Sequence, residues 1–186
     1  MEGLIIIIFI ALIVIAIAAA LLLFGILVMT AGNIITLVPF VPTPRPVLQK
    51  IVENIRVKRG QKIIDLGAGD GRVLIALEKE FRTPGVGYEL SLLPWLLAQW
   101  HLWRGKYKSQ VHLQNFFKVD ITDADFIFLF LTDVVMKKVA DKINNESRPG
   151  TVIVSYGCKV PGWKATKVIP EDERAGRRSA LYFFQK

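Results

Sequence analysis

The sequence predicts an α/β protein: a doubly wound, mainly parallel sheet ending in a C-terminal β-hairpin, preceded by one N-terminal transmembrane helix. Three observations carry this. From Leu4 to Met29 there is no charged residue and almost nothing polar. From Gln61 to Tyr156, short apolar runs alternate with segments of helical spacing, which is the pattern of parallel strands joined by helical crossovers. Beyond Trp163 the pattern changes to two strands around a charged turn.

The N-terminal run comes first. At 1.5 Å per residue it would span about 39 Å as a helix, more than the hydrocarbon core of about 30 Å. It can therefore cross a bilayer with some tilt. A cleaved signal peptide would have a basic leader and a shorter apolar core, whereas this chain starts Met1-Glu2-Gly3 and has no Lys or Arg before Arg45. Residues 1–38 read as an uncleaved anchor. Arg45, Lys50, Arg56, Lys58 and Arg59 all follow it, so the positive-inside bias predicts a single-pass protein with its body in the cytoplasm. An Arg- and Ser-rich transit pattern is missing, which favours a cell membrane over a mitochondrial inner membrane.

Residues 39–60 form a proline-rich connector and a docking helix. Four prolines between Pro39 and Pro46 force an extended path. Thr43 before Pro44 reads as an N-cap with proline at the first helical position. Val47, Leu48, Ile51, Val52 and Ile55 recur at helical spacing, so this helix must lay an apolar face on a core.

Residues 61–186 form the main domain. "KIIDLG" is a buried strand, "GRVLIALEKEF" a helix, "GVGYEL" a second strand and "SLLPWLLAQWHLWRG" a helix opening at Ser91. Pro94 falls in the first turn of that helix, where its missing N–H leaves no bond unmade. "SQVHLQNF" and "ADFIFLFL" are further strands, "DVVMKKVADKINN" a helix and "GTVIVSY" the fifth strand. "WKATKVIP" and "RRSALYFFQK" then flank the turn "EDERAG" as a hairpin on one sheet edge.

Charge and cysteine usage exclude several classes. All 24 Lys and Arg and 15 of the 16 acidic residues lie beyond residue 40, leaving that part at +9. Such a balance suits anionic lipid head groups or nucleic acid, the plainer reading being a solvated basic surface beside a membrane. Nucleic acid is disfavoured as a partner, because no run interleaves Arg with aromatics and no zinc-ligand spacing occurs. The single cysteine, Cys158, excludes an intramolecular disulfide, and with only His101 and His112 besides, no metal site is expected.

The chemistry centres on Asp65-Leu66-Gly67-Ala68-Gly69-Asp70-Gly71, at the corner where the first strand gives way to its helix and where doubly wound sheets bind ligands. A P-loop would continue Gly-Lys-Ser/Thr, but Arg72-Val73 follow. A dinucleotide turn wants a glycine three places after the second one, and that place is Arg72. Glu89, at the end of the second strand and 22 residues after Gly67, has the spacing of an acid that takes ribose hydroxyls.

"DLGAGDGR" followed by "GYEL" resembles the first two motifs of class I S-adenosylmethionine-dependent methyltransferases. With "VPFVPTPRPV", the membrane helix and "VPGWK", the chain is similar to a narrower group: the small membrane-anchored enzymes that include the lysine methyltransferases of the adenine nucleotide translocase and of the ATP synthase c-subunit. The resemblance implies a Rossmann-like methyltransferase fold and S-adenosyl-L-methionine as cofactor. It places the Gly67 and Gly69 backbone against the homocysteine part, with Asp65 ordering the turn, Glu89 on the ribose and Leu90 on the adenine. It puts Asn115-Phe116 beside the adenine, where many such enzymes have an acidic residue, and Thr43 at the methionine end. The acceptor would be a lysine of a membrane-associated protein, and the bilayer itself a partner.

Position alone nominates Thr132, Asp133 and Tyr156 as catalytic residues that orient the amine and relay its proton, since they close the fourth and fifth strands. Thr132 and Asp133 also read as helix caps, and Tyr156 as a core aromatic. An Asn/Asp-Pro-Pro-aromatic signature is absent at the fourth strand, which counts against a nucleic-acid base or glutamine acceptor. Trp95, Trp100 and Trp103 read first as a buried helical stripe, the other reading being a face at a lipid interface. Cys158 reads as a buried small residue rather than a nucleophile. Two other functions remain open on the sequence: a methyltransferase for a lipid head group or amphipathic small molecule, and a non-catalytic cofactor-binding module in an assembly.

Overall fold

A computed structural model describes residues 2–36, 40–170 and 180–186. Helix α1 (Glu2–Thr36) contains the apolar run, and its stretch Glu2–Leu27 is long and apolar enough to cross a membrane, with none of it buried against protein. The predicted charged turn "EDERAG" lies outside the described residues.

Helix α2 (Arg45–Asn54) precedes an alternation of β1 (Ile63–Leu66), α3 (Arg72–Phe81), β2 (Gly85–Glu89), α4 (Leu92–Gly105), β3 (Gln110–Leu113), β4 (Phe126–Leu129), α5 (Asp133–Glu146) and β5 (Val152–Tyr156). Strands β6 (Lys167–Pro170) and β7 (Ala180–Gln185) end the chain. The seven strands lie in the order β3-β2-β1-β4-β5-β7-β6. The first five are mutually parallel; β7 runs antiparallel between β5 and β6. The predicted sheet and its C-terminal hairpin are both present.

Strand periodicity sorts the core into two layers. Ile63 of β1 and Phe126 and Phe128 of β4 meet Val47 and Ile51 of α2, Leu74 and Leu77 of α3, and Ala98 and Leu102 of α4. The alternate residues Ile64, Leu66, Ile127 and Leu129 meet Val135, Met136, Val139 and Ile143 of α5. β1 and β4 are buried along their whole lengths, so they read as continuous apolar runs. Between them the strand order reverses, and a crevice opens at their carboxyl ends.

Two sequence expectations are corrected. Thr43 is not the cap of α2: Pro44 stands at the N-cap in extended conformation, Pro46 falls in the first turn, and the Pro44 carbonyl accepts from Val47 and Leu48 N–H. Thr43 is drawn elsewhere, because its carbonyl accepts a hydrogen bond from Arg72. Nor do the α4 tryptophans form one buried stripe. Trp95 packs on the core and donates through Nε1 to the Val111 carbonyl, but Trp100 and Trp103 are exposed. Five residues of helix turn Trp100 about 140° away from Trp95, onto the opposite side.

Candidate active site

The turn after β1 is tied to the end of β2: the N–H groups of Gly67 and Ala68 both donate to the Tyr88 carbonyl, at 2.9 and 3.0 Å. Gly67 and Gly69 adopt φ of +89° and +55°, where a side chain is strained. A neighbouring side chain would also have to move. A Cβ on Gly67 would stand 2.9 Å from Leu131 Cδ2, and one on Gly69 2.8 Å from the Phe40 ring. The turn thus presents bare backbone to the crevice.

Glu89 is positioned by that backbone. One carboxylate oxygen accepts from Gly69 N–H at 2.9 Å, and the other from Leu90 and Ser91 N–H at 2.9 and 2.7 Å. A carboxylate offers about four acceptor sites, so lone-pair capacity remains for a ligand hydroxyl. Asp65 is different. It is 1% exposed, and neither carboxylate oxygen has a hydrogen-bond partner. Burial, followed by the neighbouring charges of Glu89 and Asp70, holds its carboxyl well above the ordinary carboxylate range. The expectation that Asp65 orders the turn is therefore corrected: Glu89 and the Tyr88 carbonyl hold the turn, and the Asp65 carboxyl is left over.

Asp70 and Arg72 complete the corner. Arg72 Nε donates to Asp70 Oδ1 at 2.9 Å, Nη2 to Oδ2 at 2.6 Å, and Nη1 reaches the Thr43 carbonyl at 3.0 Å. This ion pair, with Asp70 buried, clasps the connector to the turn.

The crevice encloses a cavity of about 310 Å³, at the lower end of the range for small-molecule sites. Thr43, Asp65, Gly67, Gly69, Glu89, Leu90, Asn115 and Phe116 all line it. Asn115 has its Oδ1 engaged by Phe117 N–H, capping a single 3₁₀ turn. Of the three residues nominated for catalysis, only Thr132 lines the cavity; it stands at the N-cap of α5, yet its hydroxyl is buried without a partner. Asp133 and Tyr156 lie outside the lining. Asp133 faces Cys158, whose thiol is pushed up to about 11 by burial and then by that carboxylate. Tyr156 is buried, with its ring 4.6 Å from that of Phe130.

Sequence reasoning missed Phe40, Val41 and Pro42 of the connector, Phe128 and Phe130 of the fourth strand's run, and Val134, Val135 and Lys138 of α5. Phe128 and Phe130 stand two apart and so share a strand face, a signal available from the "FIFLFL" spacing. Nothing in the connector's composition marked it as a cavity wall.

The donor set fits a sulfonium nucleotide. Bare glycine backbone admits close approach, the pinned Glu89 carboxylate suits ribose hydroxyls, and the unpartnered Asp65 carboxyl suits a cationic group. Aromatic and aliphatic walls suit the apolar remainder. Fold and corner together define a class I S-adenosylmethionine-dependent methyltransferase.

Comparison with known proteins narrows this. The model of the ANTKMT methyltransferase domain family matches residues 65–167. The protein-lysine N-methyltransferase of Saccharolobus islandicus is 33% identical over 149 residues, which is 78% of this chain and 92% of that protein. The adenine nucleotide translocase lysine N-methyltransferase of Mus musculus is 33% identical over 138 residues, or 72% of this chain, but only 59% of that protein's length is matched. Among solved structures, the RNA methyltransferase of Salinibacter ruber in complex with S-adenosyl-L-homocysteine superposes with a TM-score of 0.71 at 25% identity, covering 78% of this chain and 93% of that one. The chain belongs to the ANTKMT methyltransferase domain family.

Proposed function

We propose that this enzyme transfers methyl groups to lysine side chains of a membrane-associated protein while tethered to the bilayer by α1. The observation that carries the proposal is the joining, in one short chain, of a bilayer-length apolar helix to a family domain whose relatives are named lysine methyltransferases. A tether raises the local concentration of membrane-held acceptors without a new contact. The basic residues that follow α1 support a cytoplasmic domain through the positive-inside bias.

The chemistry that S-adenosylmethionine supplies when bound is a methyl already activated on a sulfonium. The protein's tasks are alignment, water exclusion and handling of the acceptor proton. Glu89 would hold the ribose end, and the Gly67–Gly69 backbone would take the amino-acid end with Asp65 as counter-charge. Leu90 and Phe116 would flank the base, and Thr43, near Phe40 in the lining, would serve the methionine end. A lysine amine, with an ordinary pKa of about 10.4, must arrive neutral. Phe128, Phe130, Val134 and Val135 give the cavity apolar walls that favour the neutral form, and Thr132, a lining residue with an unpartnered hydroxyl, is the candidate to accept an amine hydrogen.

The test is transfer of labelled methyl from S-adenosylmethionine into membranes containing the full chain, followed by separation of protein from lipid and amino-acid analysis. Label in methyl-lysine is expected. Label confined to lipid would replace lysine with a head group as acceptor, and label in neither, with cofactor bound, would leave a binding module.

A further inference from the structure

Helix α4 carries an apolar face that the described residues leave uncovered. Its inner side, Pro94, Ala98 and Leu102, is buried, and Trp95 and Gln99 bind the Val111 carbonyl of β3. Its outer side presents Leu92, Leu93, Leu96, Leu97, Trp100 and Trp103, all exposed, Trp103 at 78%. These six side chains cover about 140° of arc and about 16 Å of helix length. The other sheet helices carry polar residues at most exposed positions: Lys79 and Glu80 on α3; Lys137, Asp141 and Asn144 on α5, with Val134 at its start the apolar exception. A helix apolar on all sides belongs in a core or in lipid, and α4 has a core on one side only.

What covers the outer side can be read from its chemistry. No acidic residue occurs from Leu92 to Lys108, and the cations gather at one end: Arg104, Lys106 and Lys108, with the Arg104 guanidinium 5.2 Å from the Trp100 ring centre. Leu and Trp backed by cations, without acids, matches the head-group layer of an anionic bilayer, where Trp sits at the interface and cations meet phosphate. The same chain carries the bilayer-length helix and a net charge of +8.

We propose that α4 is an interfacial helix whose Leu/Trp face lies in the head-group layer of an anionic lipid bilayer. The inference rests on the tethered reading above and deepens it. Leu90 and Ser91, immediately before α4, line the cavity, so a seated α4 holds the cavity at the membrane surface, where a lysine at the end of a membrane segment emerges.

Tryptophan fluorescence tests this cleanly, because all four tryptophans, Trp95, Trp100, Trp103 and Trp163, lie outside the anchor. The full chain is reconstituted in phosphatidylcholine–phosphatidylglycerol vesicles, with and without acyl chains brominated near the head group. Quenching by brominated lipid is expected, with most of it lost in the Trp100→Phe, Trp103→Phe double variant. Leu96→Glu with Trp103→Glu, both at exposed positions, is expected to keep cofactor affinity and to lose methylation of membrane-held acceptors while sparing a soluble peptide. Release of the chain by an alkaline carbonate wash would refute the tether itself. Retention in the wash with Trp103 still open to aqueous acrylamide would overturn only the seated helix. Protection from acrylamide without any effect of brominated lipid would also overturn it, by assigning the face to a protein.

Discussion

Replacing Glu89 by Gln removes one charge and converts one acceptor atom into a donor, and the surrounding bonds set the outcome. Three main-chain N–H groups converge on the carboxylate, one from Gly69 on one oxygen and two from Leu90 and Ser91 on the other. The glutamine oxygen settles where it satisfies two donors, so its amide nitrogen is forced against Gly69 N–H. A buried donor facing a donor costs about 1–3 kcal/mol, and a lost hydrogen bond from a ribose hydroxyl to a charged acceptor costs roughly 1.5–3 kcal/mol. The second term alone raises the Kd for S-adenosylmethionine by about 10- to 150-fold. The first lowers the melting temperature of the ligand-free domain, and both are read on the full chain in detergent, by titration calorimetry and by thermal circular dichroism. A Glu89→Gln protein that binds the cofactor within a factor of two of the parent refutes the ribose assignment, whatever its melting temperature. Weakened binding with no loss of thermal stability refutes instead the claim that Glu89 holds the turn.

Asp65→Asn should act in the opposite sense on stability. Its folded pKa is raised, so its contribution to ligand-free stability is fully present below the unfolded carboxyl pKa and is lost as pH rises through the raised value; the isosteric amide, which cannot ionise, should therefore abolish that fall in ligand-free stability with rising pH while weakening cofactor binding. In the parent, calorimetry in buffers of different ionisation enthalpy should register proton release on binding below the raised pKa, and no release refutes the role of Asp65 as counter-charge. Gly69→Ala should cost about 1–2 kcal/mol from its left-handed backbone alone, with a further loss of cofactor affinity as the new methyl displaces the Phe40 ring. An unchanged melt would show that this backbone conformation is not required. Cys158, with its thiol pushed up to about 11, should resist iodoacetamide at pH 7.5 in the folded protein and react on unfolding; rapid labelling of the native chain contradicts that environment.

The corner was legible because its demands are local. Glycines at alternate positions, an acid at the end of the next strand and the absence of a P-loop lysine are all read from spacing, and Glu89 and both glycines line the cavity. The largely parallel sheet was legible from alternation, since parallel strands need crossover connections. What escaped depends on neighbours distant in sequence. Thr43 looked like a cap until its carbonyl was seen bound to Arg72, 29 residues away. Trp100 and Trp103 looked like core because apolar content alone does not say whether a second layer exists to receive them. Tyr156 and Thr132 close neighbouring strands, but the Phe130 ring packs on Tyr156 and itself lines the cavity, so the two residues end in different surroundings. Position along a strand does not resolve that difference.

Arg72 shows how a negative signal becomes a positive one. In the sequence it stood only for a missing glycine, counting against a dinucleotide. In the fold its guanidinium spends two nitrogens on the buried Asp70 carboxylate and a third on the Thr43 carbonyl. An uncompensated buried charge is costly, so Asp70 requires that partner, and the partner in turn holds the connector. Because the connector also lays Phe40 over Gly69, a wall of the cavity is built from the segment that leads to α1. A shift of the connector would move Phe40 and Thr43 at the cavity and pull on the ion pair beside Asp65, whose carboxyl already feels the Asp70 charge. The segment leading to the apolar helix and the wall of the candidate cavity are therefore parts of one packed unit, and the requirement that joins them is the neutralisation of a single buried aspartate.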